Sequence, residues 1–335
     1  MNNSLDLIAT PNFAGAPNLE KLVFSGCIKL REVHPSIMVH KRLTLLDLEN
    51  CKSLRCLPSK FEMESLEVLI LSGCSKIKRI PEFMGNMKRL SKLHLNGTAI
   101  MKLPSSVEHL TNLEELWLQG CKGPPHKLRN NLFPLNFMRR RSISPVSLLL
   151  PSLLGMRCLK RLDLRNCNLQ SIPNDIGNLS SITKLYLSEN HFSFLPESMV
   201  QLSKLKHIDL NNCTRLCSLS QLPLTISTVD ANDCTSLETF PNGFKSHNLY
   251  TRLSLVNCFK LVGQSDMFSN VLGMLLTAHE VSLSLSLSLS LSLSLSIYIY
   301  IYIYVCVCVC VCVCVNSKYH GLYVSGNLQE IYKIP

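Results

Sequence analysis

Several signatures of catalysis and cofactor binding are absent from this 335-residue chain. It contains no G-x-x-x-x-G-K-[ST] segment, whose backbone amides would cradle a nucleotide phosphate. No nucleophile, base and orienting residue recur at a spacing typical of an active site. Pairs such as Cys51/Cys56 and Cys213/Cys217 lack companion ligands at zinc-site spacing. We therefore predict a protein that is not an enzyme and that has no cofactor and no metal ion.

Acidic residues are also scarce, with 23 Asp and Glu against 34 Lys and Arg and a net charge of +11. An excess of positive charge would permit an acidic partner. The basic residues are scattered along predicted turns, however, and no basic stripe is interleaved with aromatic residues. We interpret the charge as solvated surface and predict no nucleic-acid partner.

The N-terminal segment MNNSLDLIATPNF lacks the basic start and the apolar stretch of a secretory signal. Most of the 16 cysteines recur at one repeated position or lie in a simple tail, which favours reduced thiols over a disulfide framework. We predict a cytoplasmic protein, with a nuclear location or membrane attachment through the tail as alternatives.

A single apolar frame, L-x-x-L-x-L-x-x-C, is repeated ten times at intervals of about 23 residues. This is the frame of a leucine-rich repeat, in which L-x-L forms a strand with its leucines inward and the residue between them outward. One interval is doubled. The fourth frame positions are Cys27, Cys51, Cys74, Thr98, Cys121, Cys167, Asn190, Cys213, Cys234 and Cys258. A proline follows most of these positions and predicts a turn or short helix on the convex side.

A fixed period of this length predicts a solenoid, because each repeat can bury its apolar side only against its neighbours. We therefore assign an α/β fold class. The predicted architecture is an open leucine-rich-repeat solenoid, or horseshoe, with a parallel concave sheet, followed by a low-complexity tail.

The chain divides into six predicted segments. They are an N-terminal repeat block that starts mid-repeat (1–121), an irregular insert (122–158), a C-terminal repeat block (159–262), the start of a post-repeat segment (263–281), a dipeptide tail (282–315) and an unstructured end (316–335). The insert accounts for the doubled interval as either a degenerate repeat or a long convex loop, and the missing L-x-L favours the loop.

The dipeptide tail alternates Ser-Leu, Ile-Tyr and Val-Cys, as translation through adjoining dinucleotide repeats would produce. Its residues 297–315 are uncharged and long enough to mimic a transmembrane helix. Alternating β-branched and aromatic residues favour strand and aggregation instead, so we expect no membrane partner.

Two runs resemble the repeat region of plant intracellular immune receptors. They are TPNFAGAPNLEKLVFSGCIKLREVHPSI (10–37) and LEVLILSGCSKIKRIPEFMGNMKRLSKLHLNGTAIMKLPSS (66–106). These are the TIR-type nucleotide-binding leucine-rich-repeat disease-resistance proteins, similar to the tobacco mosaic virus resistance protein N group. The run LSLVNCFKLVGQSDM (253–267) resembles the segment that leaves their repeats. The resemblance implies a defence-related recognition and autoinhibitory module. We expect a truncated fragment, without the TIR and nucleotide-binding domains.

The outward residues of the predicted strands form the concave surface. They do not pack in the core, so their identity is free to serve binding. The candidate partner-binding residues are Ile70, His94, Trp117, Asp163, Tyr186, Asp209 and Asp230. The resemblance implies that the partners are a pathogen effector or guarded host protein and the nucleotide-binding domain of a receptor. Two alternatives remain open, a free-standing intracellular repeat scaffold and the product of a decayed gene.

Overall fold

The computed structural model describes residues 2–59, 62–83, 87–122, 148, 150, 152–223, 225–239, 252–263 and 321–325. The chain forms two compact units, Met1–Ile182 and Thr183–Pro335. Each unit is a stack of parallel strands built from the repeated frame, so each is considered by itself. The dipeptide tail, with the run that mimics a transmembrane segment, lies outside the described residues.

The described residues of the first unit form six short strands in chain order, each parallel to the next. The middle residue of every strand is the second leucine of the frame, and all of these leucines are buried. Because the register pairs leucine with leucine, the apolar side chains form one continuous core. The strands are β1 (Lys21–Val23), β2 (Leu45–Asp47), β3 (Val68–Ile70), β4 (Lys92–His94), β5 (Glu115–Trp117) and β6 (Arg161–Asp163).

In the second unit, the part of the chain that the structure describes forms four further parallel strands and one antiparallel strand. The parallel strands repeat the inward leucine pattern, with Leu185, Ile208, Val229 and Leu253 all buried. The strands are β7 (Lys184–Tyr186), β8 (His207–Asp209), β9 (Thr228–Asp230), β10 (Arg252–Val256) and β11 (Gly321–Ser325). The repeat fold predicted from the sequence is thus confirmed in both units.

Strand β11 differs from the prediction of an unstructured end at 316–335. It pairs antiparallel with β10 over five residues, from Arg252 with Ser325 to Val256 with Gly321. The sequence GLYVS contains an aromatic and a β-branched residue, which suit a strand, and β10 offers an edge with backbone groups to satisfy.

Among the described residues, short 3₁₀-helices follow β1, β4, β6, β7 and β10. Pro104, Pro173 and Pro196 each precede one of them, as predicted, because proline fixes the backbone at a helix start. The 3₁₀-helices are Pro35–Val39, Ser105–His109, Asn174–Asn178, Glu197–Gln201 and Phe259–Gly263. Within the described part of the chain, no helix combines the length and the hydrophobicity needed to cross a bilayer.

The described ends of the insert lie against the repeats. Leu116 of β5 pairs directly with Leu162 of β6, so no further strand separates them in the sheet. Residues 123–147 of the insert lie outside the described residues. The end of the insert packs back on the array, since Leu148 and Leu153 are buried and the Leu153 amide donates to Asp175 Oδ2 at 2.8 Å.

The fourth frame position forms a buried row of polar side chains beside the sheet. The thiols of Cys74, Cys121 and Cys167 donate to carbonyl oxygens of the preceding repeat at 3.0–3.2 Å. Thr98 and Asn190 occupy the same position and donate to Leu95 and Leu187 within their own repeats. Cysteine therefore acts here as a compact hydrogen-bond donor that links successive repeats. Within the described residues, no cysteine pair forms a disulfide.

We expect thiol alkylation to separate the cysteines into two groups. Cys56 and Cys158 are exposed, whereas the frame cysteines are buried. Burial also raises the pKa of Cys121 to about 11 and that of Cys213 to about 12, which removes the reactive thiolate at neutral pH. In a short iodoacetamide pulse, frame cysteines should react roughly a hundredfold more slowly, because reaction requires local opening.

Site-resolved mass spectrometry measures this difference. The same pulse in guanidinium chloride is the control and should label both groups equally. Rapid labelling of Cys121 or Cys213 in the native protein would contradict the buried thiol row.

Candidate partner-binding surface

The outward residues predicted from the sequence do lie in register on the sheet. In the first unit, Ile70 pairs with His94, His94 with Trp117, and Trp117 with Asp163. In the second unit, Tyr186 pairs with Asp209, and Asp209 with Asp230. We call each of these series the outward row of its unit. Except for Asp163, its candidate residues are partly exposed.

His94 and Trp117 form the largest feature of the outward row in the first unit. Their rings stack in parallel, with centroids 4.1 Å apart and an interplanar angle of 8°. Adjacent parallel strands are separated by about 4.8 Å, so two flat rings at paired positions stack naturally. The pair presents a rigid aromatic surface beside Ile70.

A charged cluster supports this stack from the neighbouring position of each strand. The Glu115 carboxylate, whose side chain is 11% exposed, lies 3.3 Å from Arg161 and 3.6 Å from Lys92. It also lies 3.5 Å from His94 Nε2. Burial lowers the pKa of His94, and the Glu115 carboxylate opposes this shift only in part. The imidazole is therefore neutral at neutral pH. The negative charge of Glu115 is shared between its ion pairs with Lys92 and Arg161.

Two aspartates of the outward rows, Asp163 and Asp209, accept hydrogen bonds from residues two positions further along the chain. Asp163 is 3% exposed, and its carboxylate accepts hydrogen bonds from Arg165 Nη2 at 2.6 Å and from the Arg165 amide at 3.1 Å. Asp209 accepts from the amide of Asn211 at 3.1 Å. These are Asx turns, which fix the chain as it leaves the strand. At β6, Arg165 rather than Asp163 is thus the more accessible charged group.

The second unit has a smaller aromatic feature. The rings of Tyr186 and His207 lie 5.3 Å apart and are inclined by 59°. His207 Nδ1 lies 3.9 Å from Asp230 Oδ2. An acidic group thus adjoins an aromatic pair on this sheet face.

A groove of about 520 Å³ runs beside the outward row of the first unit. Ile70, His94 and Trp117 form one wall. Side chains two positions further along the chain, which we call the flanking row, form the polar floor. The flanking row comprises Glu49, Ser72, Asn96 and Gln119. The groove is open to solvent.

Glycines form the second wall of the groove. Gly73, Gly97 and Gly120 have φ angles of 77°, 65° and 74°, in the left-handed region where a side chain is strained. Asn50 and Asn166 take this conformation at the two ends of the row. Three consecutive repeats therefore present bare backbone to the groove.

Sequence reasoning identified the outward row but missed the flanking row and the glycines. A signal for them was available, since the same offset from the strand recurs in every repeat. Glycine directly before the fourth frame position at Gly73, Gly97 and Gly120 is a second signal. In the described residues, no group of three or more His, Cys, Asp or Glu side chains could hold a metal ion.

Comparisons with known proteins match the repeats. A family model described as leucine rich repeat matches residues 157–216. The disease resistance-like protein DSC1 of Arabidopsis thaliana is 40% identical over 119 residues, which are 33% of this chain and 10% of DSC1. The TMV resistance protein N of Nicotiana glutinosa is 46% identical over 71 residues, 21% of this chain and 6% of that protein. The repeats are thus similar to those of plant disease-resistance proteins.

The matched segments of this chain cover a tenth or less of the length of each of these two relatives. Similar solved structures include the leucine-rich-repeat domain of the type III effector XopL, at 22% identity and a TM-score of 0.44. That match covers 56% of this chain and 61% of that domain. Another is the Toll–Spatzle complex of Drosophila, at 21% identity and a TM-score of 0.47, covering 61% of this chain and 25% of that one.

Proposed function

We propose that this chain is the recognition and autoinhibitory repeat module of a plant intracellular immune receptor. It binds protein partners and carries out no catalysis. The matches to disease-resistance proteins support the defence role. The stacked His94–Trp117 pair is the observation that most supports binding, because rigid, partly exposed aromatic groups are typical of interaction hot spots.

The outward rows are the proposed contact surfaces. In the first unit, Ile70, His94 and Trp117 supply apolar contact area, while Arg165 supplies charge at the β6 end. In the second unit, Tyr186 supplies the apolar contact area and Asp230 supplies the charge. The proposed partners are a pathogen effector or guarded host protein and the nucleotide-binding domain of a receptor, all in the cytoplasm.

Replacing both aromatic anchors tests this proposal. We expect Trp117→Ala combined with Tyr186→Ala to weaken binding to the nucleotide-binding domain of the TMV resistance protein N by roughly thirtyfold, as the loss of a hot spot does. Both residues are partly exposed, so the variant should retain its circular dichroism spectrum and its unfolding midpoint. Binding is measured by titrating the labelled domain with the purified chain.

Phe194→Ala is the matched control. Phe194 is an aromatic residue with 65% exposure that lies outside the strands, so its loss should leave the affinity unchanged. Equal affinity of the wild type and the double variant would contradict the proposed surfaces.

A further inference from the structure

The flanking row of the groove in the first unit offers hydrogen-bond donors that the fold leaves unused. Asn96 Oδ1 accepts the backbone amide of Gln119 at 2.9 Å, and Gln119 Oε1 accepts Arg165 Nη2 at 3.3 Å. Because both of these partners are donors, each side-chain oxygen must face its partner, which fixes the orientation of the amide groups. Their two NH₂ groups have no acceptor among the described residues. They therefore remain available to carbonyl groups of a ligand.

The β2 end of the same groove is acidic. Glu49 lies there partly exposed, and no cation of the described residues forms an ion pair with its carboxylate. The neighbouring Asp47 adds a second negative charge, with one oxygen occupied by the Glu49 amide at 2.9 Å. This end would repel phosphate and attract a basic group.

The two walls between these polar groups differ in character. Ile70 and Trp117 offer apolar contact, whereas the glycines contribute only backbone atoms, and the Asn50 side chain lies over Gly73. Backbone-directed donors, apolar contact and a terminal acid together match a peptide in extended form. Nucleic acid fits poorly, because its phosphates would meet Glu49 and Asp47.

We propose that this groove binds an extended peptide segment of the protein partner, with a Lys or Arg side chain at Glu49 and an apolar side chain against Ile70 and the His94–Trp117 stack. The inference rests on the proposed function and specifies the chemistry of its ligand. The amide groups of Asn96 and Gln119 hold the peptide carbonyls, and the glycines line the opposite side of the groove with backbone.

A library of short synthetic peptides, acetylated and amidated at their ends, tests the inference on the immobilised full-length chain. We expect bound peptides to be enriched in Lys or Arg at a fixed distance from an apolar residue. In fluorescence titrations of the best peptide, Glu49→Gln should weaken binding about tenfold, as the loss of a charged hydrogen bond does. Gln119→Ala should also weaken it, since it removes the amide donor without adding charge to the groove.

Glu62→Gln is the control, because Glu62 is exposed and does not line the groove. The basic residue of the peptide should lose its effect on affinity once Glu49 is replaced. The inference would be overturned if no peptide were enriched. It would also be overturned if the Lys or Arg of the peptide added as much affinity for Glu49→Gln as for the wild type.

The two proposals can fail separately. If Trp117→Ala with Tyr186→Ala no longer binds the nucleotide-binding domain while no peptide is enriched, the groove inference is wrong and the proposed function stands. If peptides bind through Glu49 while that double variant still binds the domain, the groove stands and the proposed function is wrong.

Discussion

Raising the pH from about 9 to about 11 is expected to destabilise the first unit by about 3 kcal/mol through the thiol of Cys121 alone. Burial raises the pKa of this thiol from 9.0 to about 11, so the folded chain keeps a proton that the unfolded chain releases. Stability is then complete below pH 9 and falls as the pH rises toward 11. In the second unit, Cys213, whose pKa is raised to about 12, should cost about 4 kcal/mol by pH 12.

Urea unfolding followed by circular dichroism at increasing pH measures the effect. Cys121→Ser keeps a donor for the Leu95 carbonyl and removes the titration, so it should flatten the pH dependence by about one proton. Cys56→Ser, at an exposed position, should leave the slope unchanged. Parallel curves for the wild type and Cys121→Ser would show that the thiol row does not govern alkaline stability.

Gly155→Ala is expected to destabilise the first unit by about 3 kcal/mol. A Cβ at this position would lie 1.7 Å from the carbonyl oxygen of Glu108 and 2.8 Å from its carbon. Both contacts are with the backbone of the 3₁₀-helix Ser105–His109, so rotation of a side chain cannot relieve them. The turn before buried Met156 would have to move away from the array.

Gly15→Ala is the matched control for this substitution. A Cβ at Gly15 meets no atom within 4 Å, so the unfolding free energy should change by less than about 0.5 kcal/mol. Denaturant unfolding of both variants gives the comparison. Equal stability of Gly155→Ala and the wild type would mean that the returning insert does not pack as tightly as the structure places it.

Much of the fold could be predicted because its apolar residues recur at a fixed interval and its contacts join neighbouring repeats. The second leucine of the frame lies at the centre of each of the first three strands, at Leu22, Leu46 and Leu69. Since one repeat contacts mainly its neighbours, a constant interval sets the register without knowledge of distant contacts. The buried role of the fourth position follows from the same reasoning.

The candidate site could be predicted only in part, because alternation shows where a side chain points but not what it contacts. Trp117 was expected on the open face, yet its stacking on His94 depends on the pairing of β4 with β5. Asp163 was expected as a partner contact, but the Arg165 guanidinium occupies its carboxylate. Strand β11 depends on an edge distant in sequence, so no local pattern could reveal that it pairs with β10.

The direct pairing of β5 with β6 has a consequence for how such arrays diversify. More than forty residues separate Trp117 from its partner Asp163, yet the hydrogen-bonding register is the same as between β4 and β5. Backbone closure costs little more for a long excursion than for a moderate one, growing only with the logarithm of its length. Residues can therefore be added or removed between β5 and β6 while the paired leucine positions keep their register.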